Sequence, residues 1–202
     1  MVNHTQQTMM PEPSQRQLWT QLHRLYLLAM MAMIAAILTT AMVYQYGDGE
    51  LPCPLCLLQR LAMFGVCFGL VLQFRYGVSF QNSGISLLFA IFLLIVSVRQ
   101  TLLDIYPREG HEYIGSAVLG LHMPVWSVLI ALALITAFAV QMLLWGDARQ
   151  NRRISLRKFP ALRSLAVVFS LYIVLLAAIN TASVFVQCGL GQCHTTGYAL
   201  LK

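Results

Sequence analysis

Charge is scarce in this chain of 202 residues: 10% are Asp, Glu, Lys or Arg, against 58% that are hydrophobic. Soluble domains carry about a quarter charged residues. An ordinary soluble domain is therefore set aside, and a membrane class takes its place. Alternation of apolar and polar residues with period two is also lacking. Backbone groups in lipid must be satisfied within helices or closed barrels, and long unbroken apolar runs without that alternation point to helices. No internal repeat and no separate soluble domain stand out. The first apolar run has no clear cleavage site and is too long for a signal-peptide core, so it is read as a helix. Acidic residues are fewer than basic ones, 7 against 13, which sets the net charge at +6.

What is present is a series of five apolar stretches, each close to the roughly 20 residues needed to cross a bilayer. They run from Leu25 to Tyr46, Leu55 to Phe74, Ile85 to Ile105, Met123 to Trp145 and Leu165 to Gln187. The fold class expected is an all-α membrane protein: a four-helix bundle over 25–145 and one additional C-terminal helix over 165–187. A tail over 1–24, a basic loop over 146–164 and a second tail over 188–202 complete the chain. Arg149, Arg152, Arg153, Arg157, Lys158 and Arg163 lie between spans four and five, with Arg16 and Arg24 before span one and Arg75 after span two. The positive-inside rule then places the N-terminus in the cytoplasm and the C-terminus outside. The basic tract is read as this topology signal and not as a nucleic-acid surface.

With that topology, four of the five cysteines fall on the non-cytoplasmic side, in the pairs Cys53/Cys56 and Cys188/Cys193. Disulfides form and persist there. Cys67 lies eleven residues beyond Cys56, or roughly 16 Å down a helix, and is read as a small buried hydrophobe. A Cys-Pro-Leu-Cys segment at a helix start has a chemical use. The free N–H groups and the positive dipole end stabilise a thiolate, the form that attacks disulfides. Pro54 suits the first helical turn.

Arg60 sharpens the reading. Fourteen uncharged residues separate it from Arg75, so it must lie inside the membrane, where a charge is a functional candidate. It follows Cys56 by four residues and shares its helix face. The alternative is an arginine that snorkels to the headgroups. Arg99 and Gln100 sit at the same depth in span three, and Gln59 joins them from span two. Together they form a polar cluster suited to the carbonyl head of a lipid-soluble quinone; interhelical hydrogen bonding is the rival reading for the two glutamines.

The segment CPLCLLQR, Cys53 to Arg60, resembles the cysteine–arginine motif of the disulfide bond formation protein B (DsbB) family. QTLLDIYP, Gln100 to Pro107, resembles the end of that family's third helix, and VLGLHMPVW, Val118 to Trp126, its entry to helix four. The resemblance covers Leu25 to Trp145 and implies a quinone-linked thiol oxidase of the bacterial inner membrane. Such proteins reoxidise a periplasmic thioredoxin-like oxidase of the DsbA type and pass the electrons to ubiquinone or menaquinone. The resemblance makes Cys53 and Cys56 the membrane-proximal redox pair, with Cys56 beside the quinone and Arg60 the quinone-site arginine. Gln100 matches a position that holds a quinone-proximal histidine in some members. One departure is plain: many members carry a second cysteine pair between helices three and four, whereas Tyr106 to His122 contains no cysteine. The pair after span five is similar instead to a five-span branch sometimes called DsbI.

Cys188 and Cys193 enclose four residues, two of them glycine, and such a loop can reach disulfide geometry. His194 beside Cys193 would favour its thiolate when protonated. The pair is read as redox-active, with a static disulfide as the alternative. Zinc held by the two pairs, with His194 or His122 replacing a sulfur, is a further alternative; it needs reduced thiols where disulfides are favoured, so no metal is expected. A non-catalytic scaffold is the third, and it leaves the intramembrane arginines without a purpose. Asn180 is read as an interhelical hydrogen-bonding residue, His122 as interfacial, and Trp126 and Tyr106 as members of an aromatic belt.

Overall fold

A computed structural model describes residues 13–49, 51–105, 120–145, 160–189 and 191. The described residues form five long helices and no strand: α1 (Pro13–Gly47), α2 (Pro54–Tyr76), α3 (Phe80–Ile105), α4 (Met123–Trp145) and α5 (Pro160–Cys188). All five are long and apolar enough to cross a membrane. The fold is therefore the all-helical, five-span class expected, in a multi-pass membrane protein.

Three helices begin earlier than hydropathy places them. α1 starts at Pro13 and not near Leu25, because good helix formers such as Gln17, Leu18 and Leu22 carry the helix on beyond its apolar part. Its polar turns are anchored there: His23 and Tyr26 stack on Trp145 of α4, and the Tyr26 hydroxyl donates to Ala137 O at 2.8 Å. α3 starts at Phe80 and not at Ile85 because Ser79 caps it, its Oγ accepting from Asn82 N at 3.1 Å. α5 starts at Pro160, a residue suited to a first turn. The turn from α2 to α3 rests on Gly77, whose φ of 92° lies in a region that favours glycine.

α2 packs against α3, α3 against α4, and α5 against α1 and α2. Leu38 of α1, Val66 and Leu70 of α2, Leu93 of α3 and Phe138 of α4 are fully buried, and Ile173 and Leu176 of α5 join the same core. Leu88, Leu143 and Leu171 are exposed, as side chains facing lipid should be. Lipid is as apolar as these residues, so close packing and interhelical hydrogen bonds bind the bundle together.

α2 and α3 approach each other closely at Gly65 and Gly69. A Cβ on Gly65 would run into the Phe89 ring, and one on Gly69 into Ser86 Oγ. At Gly69 it would also lie 2.8 Å from Ser86 N and 2.9 Å from Asn82 O, which are backbone atoms. This contact lets Ser86 Oγ donate to Val66 O at 3.1 Å. Gly69→Ala is expected to push the helices apart and lower stability by about 1–3 kcal/mol, the usual scale of overpacking. Gly84→Ala is the control, since nothing lies within 4 Å of its Cβ position. Unfolding in detergent measures both; equal stability of the two variants would contradict the packing described.

Candidate redox site

The chain between α1 and α2 ends in Pro52-Cys53-Pro54, and the site is built from that point. Cys53 is the N-cap of α2, with extended φ and ψ of −69° and 161°, and Pro54 occupies the first turn. Cys53 Sγ accepts from Cys56 N at 3.0 Å, which satisfies one free N–H of the helix start. The two cysteines form a disulfide across a Cα–Cα distance of 5.0 Å. Cys53 is buried and Cys56 partly exposed.

The polar group that reaches the sulfurs is the Gln100 amide from α3. Its Nε2 lies 3.5 Å from Cys53 Sγ and 3.4 Å from Cys56 Sγ. Gln59 fixes which way that amide points, because its Nε2 donates to Gln100 Oε1 at 2.9 Å and leaves the Gln100 NH2 for the sulfurs. Ser127 Oγ lies 3.2 Å from Gln59 Oε1, and its hydroxyl can donate there or to Met123 O at 3.3 Å. The sequence pairs Gln59 with Gln100 by depth alone; this relay from α4 through α2 to α3 orders them. A neutral disulfide sulfur is a weak acceptor. A thiolate in the same place would receive a charge-assisted bond from the same N–H.

Arg60 is 8% exposed and turns towards α1 and α5. Its Nη1 donates to Gln45 Oε1 at 2.5 Å and lies 3.4 Å from Asn180 Oδ1 and 3.8 Å from Met42 Sδ. Nη2 donates to Ala41 O at 3.0 Å. The planar fork of a guanidinium suits such a divided set of acceptors. Asn180 is thus an interhelical hydrogen-bonding residue whose partner is Arg60.

A cavity of about 490 Å³ opens between α1, α2 and α4. Cys56, Gln45, Gln59, Arg60 and Ser127 line it together with apolar Ile37, Leu38, Met63, Trp126 and Ile130. It is a mostly apolar pocket with few polar groups, the usual make-up of a small-molecule site. Gln100 lies behind this wall, against the sulfurs. Arg99 is exposed on α3 and His122 is exposed before α4; neither lines the cavity. Cys67 is a free thiol, fully buried in the core. Sequence reasoning passes over Gln45 and Ser127. Gln45 had a signal, as a polar residue inside an apolar span eight positions before Cys53. Ser127 had none, since serine is common in membrane helices.

At the end of α5, Cys188 is buried and disulfide-bonded. Cys193 and His194 lie outside the described residues. Gln187 Nε2 donates to Pro52 O at 2.9 Å. The residue before Cys188 is thereby tied to the residue before Cys53. Tyr46 and Ser183 join through their hydroxyls, and Thr39 and Tyr172 through theirs at 2.7 Å, so α5 is fastened to α1 as well.

No curated protein and no solved structure gives a significant match to the chain. The sequence model of the family described as Disulfide bond formation protein DsbB matches residues 23–112, a segment that takes in α1 from His23 onward, α2 and α3 but neither α4 nor α5. Over that segment, which carries Cys53, Cys56, Arg60 and Gln100, the chain is matched to the DsbB family, the same family that its CPLCLLQR motif resembles.

Proposed function

We propose that this protein is a thiol–disulfide oxidoreductase of the bacterial inner membrane. It reoxidises a periplasmic thioredoxin-like partner of the DsbA type and passes the electrons to a membrane quinone, ubiquinone or menaquinone. The observation that carries the reading is the shared cavity: redox-capable Cys56 and buried Arg60 line one apolar pocket of about 490 Å³. A quinone is flat and apolar, with carbonyl oxygens that only accept hydrogen bonds. The donors Arg60 and Gln59 and the walls of Met63, Trp126 and Ile130 fit such a group. When bound, the quinone supplies a two-electron acceptor within the membrane.

The residues of the chain have separable tasks. The α2 N-terminus and the Gln100 amide stabilise the thiolate of a reduced Cys53/Cys56 pair. Arg60 holds the quinone head and is itself held by Gln45, Ala41 and Asn180. Gln59 keeps the Gln100 donor turned to sulfur. Arg99, exposed on α3, lies outside the cavity lining and has no part in the pocket. The second pair acts first. A partner dithiol attacks the Cys188–Cys193 disulfide through a mixed disulfide; the partner leaves oxidised and the tail pair is reduced. The tail dithiol then reduces Cys53–Cys56 in the same way. The Gln187–Pro52 bond keeps Cys188 near Cys53, which supports this exchange. The N-terminus lies in the cytoplasm and the C-terminus in the periplasm, as the basic tract directs.

Arg60→Ala tests the reading at the cavity. The apparent quinone KM is expected to rise about tenfold or more, the scale of a lost hydrogen bond to a charged group. Arg60→Lys is expected to recover part of the loss, because an ammonium keeps the charge but lacks the fork. Steady-state kinetics on membrane-inserted protein measure both. Unchanged quinone kinetics in Arg60→Ala would separate the cavity from the proposed function and leave Arg60 a bracing residue.

A further inference from the structure

Gln45, near the C-terminal end of α1, is 2% exposed and lines the cavity beside Arg60. Its two amide atoms have different surroundings. Oε1 accepts from Arg60 Nη1 at 2.5 Å, whereas Nε2 is buried with no hydrogen-bond partner among the described residues. Arg60 dictates this orientation: a guanidinium only donates, so it takes the amide oxygen, and the reversed amide would set N–H against N–H. A buried amide donor without an acceptor is unfavourable and calls for an explanation.

We propose that Gln45 is a ligand-binding residue of the cavity, with its Nε2–H donating to a carbonyl oxygen of the quinone. A quinone carbonyl brings lone pairs and no proton, so it complements an atom that can only donate. Arg60 then acts on the ligand in a second way, by orienting the Gln45 amide. The inference rests on the reading of the cavity as a quinone site and adds a donor from α1 to those of α2.

The test uses full-length protein in detergent, with Cys53–Cys56 oxidised and no thiol present, so that nothing turns over. The probe is a short-tailed benzoquinone and the readout is its equilibrium Kd. Gln45→Glu keeps an oxygen for Arg60 but, ionised beside the guanidinium, has no proton to donate. Gln45→Met removes both functions. Each variant is expected to raise Kd about two- to tenfold, the effect of one hydrogen bond, with Gln45→Glu as resistant to thermal unfolding as the wild type. A measurement on the wild-type chain needs no variant. The side-chain N–H resonances of Gln45 are expected to move on addition of the quinone and to stay in place with an alkylbenzene of similar size that lacks carbonyls. An unchanged Kd in Gln45→Glu, or unmoved resonances in wild-type protein that binds the quinone, would overturn the role of Gln45 and leave the cavity reading standing. Wild-type protein that binds no quinone would overturn both.

Discussion

Serine in place of Cys53 or Cys56 is expected to lower quinone-dependent dithiol oxidation by about a thousandfold or more, the scale on which removing a reacting nucleophile acts. Each change leaves one sulfur and no disulfide to accept electrons. The two variants should nevertheless differ. Gln187 holds the end of α5 at Pro52, next to Cys53, whereas Cys56 lines the cavity. A reduced tail thiol is therefore expected to attack Cys53 and release Cys56 towards the pocket. With Cys56→Ser, Cys53 remains able to form a mixed disulfide with a tail cysteine, and that cross-link should accumulate. With Cys53→Ser it should not. Mass spectrometry of non-reduced, protease-digested protein separates these products. Cross-links of equal yield in both variants would contradict the order of attack, and full activity in either would remove the disulfide from the mechanism.

Truncation after Gln187 is expected to have an equally large and more selective effect. The partner protein should no longer be oxidised, because both tail cysteines are lost, while α5 and its bonds to α1, α2 and Pro52 are retained. Reaction of Cys53–Cys56 with a small thiol, and onward to quinone, should survive. The comparison of protein donor and small-thiol donor in one preparation measures this directly. If the truncated protein oxidises its partner at the normal rate, the tail disulfide is a brace and the partner engages Cys53–Cys56 itself. If both reactions fail, the tail is needed to assemble the site.

The five spans are legible because the membrane demands long apolar helices, and Phe64 through Leu72 can be little else. Their ends are less legible. Hydropathy marks the lipid-facing length, whereas Ser79 capping decides where α3 begins and helix formers such as Leu18 and Leu22 carry α1 beyond its apolar part. The family resemblance rests on Cys53 to Arg60, and the family match over 23–112 agrees with it. The four-residue spacing from Cys56 to Arg60 does put both residues on one cavity wall. Spacing could not say that the guanidinium turns to Gln45 and Asn180 while the Gln100 amide meets the sulfurs. Those contacts depend on how α1, α3 and α5 pack around α2. Asn180 illustrates the limit: as an isolated polar residue in an apolar run it signals a hydrogen bond, and only the packed bundle shows that its partner is Arg60.

The most direct measurement is anaerobic electron counting. Purified protein in detergent is mixed with a reduced thioredoxin-like dithiol and a short-tailed quinone, and both are followed to completion. The account predicts one quinone reduced for each dithiol oxidised, over many turnovers, with no reaction when the protein is omitted. Dithiol oxidation without matching quinone loss, or no reaction with either quinone class, would contradict it.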